Sequence, residues 1–506
     1  MGYSTPAEFD AAYRSTQAVF ASGLTKKKEW RRHQLKRAWW MIEDNKERMA
    51  TALYADLHKD RQETFFAECG VTQSDILHTL DKLDQWTQDE RPARTNMLNF
   101  LGRAVVRKEP LGVTLIIGSW NFPINLLLQP MVAAIAAGCA VILKPSELAP
   151  AAQKLLREII PKYMDPGAIR CVTAGPEEMQ YVLTHRFDHI FYTGSPRIAR
   201  VIQTAATKYL TPVTLELGGQ APAIVTATAN IDLSAKHIAA TKFMTAGQVC
   251  VNVNHVLVDP RVRDVLISHL IQHFDVFMGG RDTRPEGYTH VINEHHFDRL
   301  ENLLQRTSGQ IIYGGHRDRA TRFFSPTIVV GVQPGDALLA EELFGPILPV
   351  VDAELNTAIA ITRGMEHPLA IYGFTDDRNE QSRILNETQS GGVTFNDCML
   401  HVAARDAPFG GIGNSGHGYH HGIHGLLAFS HLRTHIHALP FWMESLMEAR
   451  YPPYSRQKTS TIAPSVTPSF DRDGKDASAM GSWSAWALGL GAVATAATCS
   501  YRWLRH

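Results

Sequence analysis

Six cysteines are scattered through the 506 residues, at positions 69, 139, 171, 250, 398 and 499, with no CxxC pair and no even ladder. That scatter supplies neither a disulfide framework nor a zinc site, and it fits a reducing compartment. A charge excess is also missing, because 50 basic residues meet 50 acidic ones. Without a basic domain there is no electrostatic footprint for nucleic acid, and none is expected as a partner. The opening MGYSTPAEFDAAY has no basic start followed by an apolar run, so no secretory signal is expected. No internal repeat of roughly 20 to 50 residues is visible.

What is present is an ordinary globular balance, 44% apolar and 20% charged, in a chain long enough for two or three domains with large cores. From Pro6 to about Glu90 apolar residues recur at helical spacing, as in "HQLKRAWWMIEDNKERMATALYADL", which predicts a helical opening of several segments. From Val105 the texture changes to short β-branched runs, "GVTLIIG", "AVILKPS", "HIFYTGS" and "APAIVTA", separated by helical stretches. That is the rhythm of βαβ units with buried parallel strands, and a second set beginning near Thr214 predicts two α/β domains in series. Residues 446–476 are rich in Pro, Ser, Thr and charge and read as a flexible linker. Ala477 to Tyr501 then runs for 25 positions without a charge and stops before Arg502 and Arg505. A membrane-spanning helix needs roughly 20 such residues, so 477–501 is expected to anchor the C-terminus in a membrane.

Two tempting motifs fail on their surroundings. "GIGNSG" at 411–416 has dinucleotide-binding spacing, but it follows Pro408-Phe409 rather than a strand and has only histidines where an acidic ribose partner should stand. A glycine-rich loop packed close to another segment is the expected reading. Seven histidines between 417 and 437 invite a metal, yet that stretch contains no Asp, Glu or Cys, and no metal is expected.

Three polar residues stand out because each follows an apolar run, where strand ends deliver side chains to a cleft. They are Asn121 in "IIGSWNFPIN", Glu216 in "PVTLELGGQAP" and Cys250 in "TAGQVC". The thiol is a nucleophile, the amide is a donor that can hold an oxyanion, and a desolvated carboxyl is tuned toward general-base work. Taken singly, each also reads as an ordinary core cysteine, turn residue or surface charge. Their joint occurrence carries the argument.

At this point "GSWNFP", "VILKPSE", "FYTGS", "LELGG", "GQVC", "EELFGP" and "PFGGIGNSG" resemble, in order and spacing, the segments of the aldehyde dehydrogenase superfamily over Val105 to Pro440. The helical opening, the "GGVTFND" turn and the tail resemble its class 3 branch, whose membrane-anchored members oxidise long-chain fatty aldehydes. The resemblance implies an α/β aldehyde dehydrogenase fold with a Rossmann-like NAD-binding domain (1–93 and 114–213), an α/β catalytic domain (214–405) and small β bridging segments for oligomerisation (94–113 and 406–445). It implies that Cys250 attacks the aldehyde, that Asn121 with the Cys250 N–H holds the oxyanion, and that Glu216 activates water. For the cofactor it implies Lys144 and Glu147 at the adenosine ribose, Gly194 and Ser195 near the pyrophosphate, and Glu342 and Phe344 at the nicotinamide ribose, with Trp120 and Leu217 beside them. NAD is expected, with NADP also accepted.

The chain departs from the family pattern at Pro196 and Ala199, where a second glycine is usual, and a methyl at 199 is expected to hold the pyrophosphate farther off. Gln220 stands where lysine is common. The expected function is NAD-dependent oxidation of medium- to long-chain fatty aldehydes to carboxylic acids by a homodimer. The expected place is the cytosolic face of an intracellular membrane: endoplasmic reticulum, mitochondrial outer membrane or lipid droplet. Transfer of the acyl group to coenzyme A, ester hydrolysis and a non-catalytic tethered scaffold are the competing readings, and the retained Glu216 favours water as acceptor.

Overall fold

Thr5 accepts a hydrogen bond from Glu8 N while Glu8 reaches back to Thr5 N, and this capping box starts the helix Pro6–Ala21. The helices Lys28–Leu57 and Val71–Trp86 follow, joined by a short turn at Arg61–Glu63 and a π-helical stretch, Thr64–Gly70. The structure is a computed structural model and describes residues 2–93, 103–281, 283–438, 441–462, 468 and 470–476. Two units are distinguished: Met1–Arg91 with Val105–His435, and Pro92–Ala104 with Ile436–His506.

The larger unit holds two sheets. The first runs, edge to edge, Gly416–His417, Val213–Glu216, His189–Thr193, Val113–Ile117, Ala140–Lys144 and Ile169–Cys171. All its pairings are parallel except that of Gly416–His417. Its central strands are buried on both faces, as near-continuous Val/Ile/Leu runs require. Lys28–Leu57 and Val71–Trp86, with Asn125–Ala137 and Pro150–Tyr163, cover one face, and Pro6–Ala21 with Pro196–Ala206 cover the other. The second sheet runs Gly392–Phe395, Ala370–Phe374, Pro222–Val225, His255–Val258, Ile347–Asp352, Thr327–Val330 and Gln310–Tyr313, with only the last pairing antiparallel.

The expected domain break at 214 falls inside a strand. Thr214 pairs with Phe191 in the first sheet, so the chain crosses to the second sheet through residues 217–221. The expected bridging segment 406–445 also divides. Gly416–His417 joins the first sheet, Gly422–Ala428 is a helix against Asn125–Ala137, and only Ser430–His435 pairs antiparallel with Val105–Pro110 in a two-stranded ribbon.

In the smaller unit, the stretch read as a flexible linker contains helical turns. A 3-10 helix spans Phe441–Arg450 and an α-helix Arg456–Ile462. Local bonds sustain them, with Arg450 and the Tyr451 hydroxyl both reaching Glu444. The expected anchor 477–501 and residues 94–102 of the expected bridging segment lie outside the described residues. Among the described residues no helix is long and apolar enough to cross a membrane.

Candidate active site

In the first sheet the chain leaves Val113–Ile117 for strands on one side and returns to place His189–Thr193 on the other. That is a topological switch point, where α/β sheets bind ligands outside the carboxyl ends of their strands. The register aligns those ends: Ile117 pairs with Lys144 and with Tyr192, and Thr193 pairs with Glu216. Residues 118–121, Lys144 and Glu147, Gly194 and Ser195, and Glu216 therefore emerge along one edge.

Glu216 ends its strand 5% exposed, and neither carboxyl oxygen has a hydrogen-bond partner. Burial raises its pKa well above the carboxylate range. Cys250 is partly buried. Burial first, then the carboxyls of Glu342 and Glu216, pushes its thiol up to about 12. Asn121 is 2% exposed; its Nδ2 donates to Gln248 O at 2.9 Å, and its Oδ1 has no partner. A primary amide carries two N–H donors, so one remains for a ligand.

The nucleophile loop is pinned on every side. Thr245, Ala246 and Gly247 all have left-handed backbones (φ 48°, 49° and 71°). Such a run persists only where its surroundings enforce it. Gln248 is fully buried, donates to Thr245 O and His290 O at 2.9 and 3.0 Å, and accepts from Ile292 N at 3.0 Å. Asn252 Nδ2 donates to Gly247 O at 2.7 Å, and the Tyr372 hydroxyl donates to Val251 O. A thiol held this way presents one attack direction, the requirement for covalent catalysis. His255 is fully buried on its strand, where burial and then Lys242 hold its imidazole at about 3, neutral and away from base duty.

The sequence-predicted cofactor residues occupy the same edge. Lys144, almost fully buried, pairs with the more open Glu147. Ser195 is exposed and caps the helix Pro196–Ala206 through Ile198 N, which places the start of a helix at this edge. Ala199 is 2% exposed and sits in the apolar core with Ile202, Leu215 and Leu217. Its methyl therefore faces away from the helix mouth, and the expected displacement of a pyrophosphate by Ala199 does not follow. Leu217 is likewise buried, its N–H bonded to Ser415 O.

Glu342 lies against Gly218, where an added Cβ would come within 2.3 Å of its carboxylate. Burial raises it to about 7, opposed by the Gly219 N–H, Arg299 and Lys242. Trp120 and Phe344 meet edge to face, 5.2 Å between centroids. An acid–ammonium pair, a helix N-terminus and two buried groups with unpartnered oxygens, Asn121 and Glu216, fit a dinucleotide with its reacting end at Cys250.

The "GIGNSG" loop is a close-packing element. Gly416, at φ 131°, pairs with Glu216, and a Cβ there would lie 2.0 Å from Leu215 O. Among the described residues there is no His, Cys, Asp and Glu group that could hold a metal. Sequence reasoning missed Lys59, Glu63 and Glu68, whose charges lie in the helical opening and touch both loops of the site. Sequence alone reads Lys59, in the turn after Lys28–Leu57, and Glu63 and Glu68, on the helical turns that follow, as solvated charges, and only their place in the fold distinguishes them.

The aldehyde dehydrogenase family profile matches residues 1–435. Aldehyde dehydrogenase family 3 member B1 of Homo sapiens is 39% identical over 88% of this chain and 94% of its own. The dimeric NADP-preferring aldehyde dehydrogenase of Canis lupus familiaris is 39% identical over 86% and 96%. The substrate-bound state of Staphylococcus aureus AldH superposes with a TM-score of 0.85 at 35% identity, over 90% of this chain and 98% of that one. The chain belongs to the aldehyde dehydrogenase family, in its class 3 branch, and is an NAD(P)-dependent aldehyde dehydrogenase.

Proposed function

We propose that the protein oxidises medium- to long-chain fatty aldehydes to carboxylic acids, with NAD preferred, through a thioester on Cys250. One observation carries the assignment of roles: the Asn121 amide bonds the backbone two residues before the loop-held Cys250 thiol, and the carboxyl of Glu216, which acts electrostatically on that thiol, is buried without a partner. Cys250 Sγ, as the thiolate after its proton has left to solvent, forms the bond to the carbonyl carbon. The Asn121 Nδ2–H and the Cys250 N–H hold the resulting oxyanion. NAD, when bound, supplies the hydride acceptor; Lys144 and Glu147, Gly194 and Ser195, Glu342 and Phe344, with Trp120 and Leu217, would hold it. Glu216 then takes a proton from the water that hydrolyses the thioester. Water as acceptor favours this reading over acyl transfer to coenzyme A, because a transferase needs no buried base.

A fatty substrate is supported by the apolar cluster against which the thiol packs. Phe122, Met399, Val402 and Phe409 are partly buried apolar side chains packed against the same core cluster as Cys250. The NAD preference rests on the Glu147 carboxylate, which repels a 2′-phosphate. A homodimer is supported by the ribbon of Val105–Pro110 and Ser430–His435, because a lone two-stranded ribbon is marginal in water and its Leu432 is exposed. The uncharged tail supports residence on the cytosolic face of an intracellular membrane. The test is NADH or NADPH formation from a series of aldehydes, short to long, with coenzyme A added in one arm. Equal efficiency across chain lengths overturns the fatty preference, faster reduction of NADP overturns the cofactor preference, and dependence on coenzyme A overturns hydrolysis.

A further inference from the structure

Lys59 and Glu68 form an ion pair at 2.8 Å with both side chains fully buried. Neither charge ends there. Lys59 Nζ also donates to the backbone oxygen of Asn121 at 2.7 Å and lies 4.0 Å from the Phe122 ring centroid. The second carboxylate oxygen of Glu68 accepts from Ile124 N and Asn125 N at 3.0 Å each. The helix Asn125–Ala137 has no cap from its own N-cap side chain, so Glu68 supplies one from across the fold. The pair therefore brackets the Asn121 loop from both ends.

Between them in sequence, Glu63 accepts from the Thr245 hydroxyl. Thr245 opens the left-handed run before Cys250 and is β-branched, a residue type that rarely adopts φ 48°. The strain is held from outside, by a carboxyl of the helical opening. Glu68 sits within the π-helical stretch Thr64–Gly70, whose wider turn is often found at functional sites. A segment of ten residues, 59–68, thus grips the loop of the oxyanion donor and the loop of the nucleophile.

We propose that Lys59, Glu63 and Glu68 are positioning residues that set the separation of Asn121 from Cys250 and thereby the rate at which the thiohemiacetal forms. This rests on the roles assigned above to Asn121 and Cys250. A purely stabilising role does not account for the arrangement. A buried ion pair is commonly no better for stability than apolar side chains of the same size, and these charges end on backbone atoms of the two loops that carry the reacting groups.

The test uses the full chain with Lys59→Met, Lys59→Arg, Glu68→Gln and Thr245→Val, the last replacing one hydroxyl by a methyl of the same shape. The readouts are the pre-steady-state burst of NADH with a short soluble aldehyde, the KM for NAD, the rate of Cys250 alkylation by iodoacetamide, and Tm. The expected result is a burst slowed roughly ten- to a hundredfold in Lys59→Met and Glu68→Gln, because a small misplacement of reacting groups costs that much. KM for NAD stays within about twofold. Lys59→Arg restores part of the burst, and Thr245→Val changes the alkylation rate severalfold. A wild-type burst in folded Lys59→Met and an unchanged alkylation rate in Thr245→Val overturn the proposal, as does a loss that appears only in Tm. If Lys59→Met does not fold, Thr245→Val decides by its burst and its alkylation rate. Cys250→Ala and Asn121→Ala run alongside. Turnover retained in those two overturns the site assignment itself, whereas turnover lost there but kept in the positioning variants overturns only this inference.

Discussion

The Asn121 side-chain amide donates to the backbone oxygen of Gln248 at 2.9 Å, joining the loop after Val113–Ile117 to the loop that delivers Cys250. One loop belongs to the first sheet and the other precedes a strand of the second. That amide is a direct tie between the two loops across which an aldehyde carbonyl would be trapped.

Asn121→Ala should lower kcat by about a hundred- to a thousandfold, the usual cost of one oxyanion donor. The KM for NAD should hardly move, since Asn121 touches none of the proposed ribose or pyrophosphate residues. Steady-state kinetics in both substrates will separate the two; a shift confined to the KM for NAD would assign Asn121 to the cofactor.

Cys250→Ala should abolish aldehyde oxidation and leave NAD affinity intact, measured by quenching of tryptophan fluorescence. Trp120 lies among the proposed cofactor residues and supplies a local reporter. Residual turnover would mean that another group attacks the aldehyde.

Glu216→Gln should release one equivalent of NADH per site in a burst and then turn over slowly, as the thioester waits for water. The sign of the pH dependence follows from the shifts. Glu216 lies well above 4.5 and Cys250 at about 12, so base and thiolate both become more available as pH rises. Wild-type kcat should climb from neutral into alkaline solution, and the Gln variant should lose the part that belongs to hydrolysis. The folded state also keeps a proton on Glu216 that the unfolded chain releases near 4.5. Its contribution to stability is therefore present in acid and is lost as pH rises toward the folded value.

Lys59→Met should destabilise the fold by about 3 to 5 kcal/mol, because it strands a buried carboxylate. Adding Glu68→Leu should recover part of that loss, since no charge is left unpaired. Thermal unfolding of the two variants checks the order, and a double variant less stable than the single would show that the capping of Ile124 and Asn125 outweighs the stranded charge.

Deleting residues 477–506 should release the protein from membranes while leaving activity on short, soluble aldehydes. Flotation with vesicles before and after the deletion checks this. A truncated chain that still floats would move the membrane contact into the folded units.

The parallel strands were legible because a buried strand writes itself as an uninterrupted apolar run, as "VTLII" and "AVILK" do. Asn121 and Glu216 could be singled out because each stands as a lone polar residue at or just beyond such a run, whereas Cys250 follows the 3-10 turn Met244–Gly247 and was singled out by its thiol and by the resemblance. The crossing at 217–221 was not, because "VTLELGG" is one continuous stretch and nothing in it says which sheet claims Thr214. Lys59 and Glu68 were invisible for a different reason. Lys59 lies in a turn and Glu68 in a π-helical stretch, so their nine-residue spacing follows no surface periodicity, and a charge in either place ordinarily faces water. Ala199 was misjudged because sequence gives the residue type at a helix mouth but not which way its methyl turns.

Gly416–His417 pairs with Leu215–Glu216 and closes that side of the first sheet, with two hundred residues of chain between the partners. During synthesis, Asn121, Glu216 and Cys250 have all emerged from the ribosome long before that closing strand exists. Until it arrives, the strand of Glu216 is an open edge beside a reactive cysteine. A fragment cut before residue 411 therefore contains every group proposed for the reaction yet should aggregate through that edge. The enzyme's competence is timed by one of the last segments of the larger unit to be made.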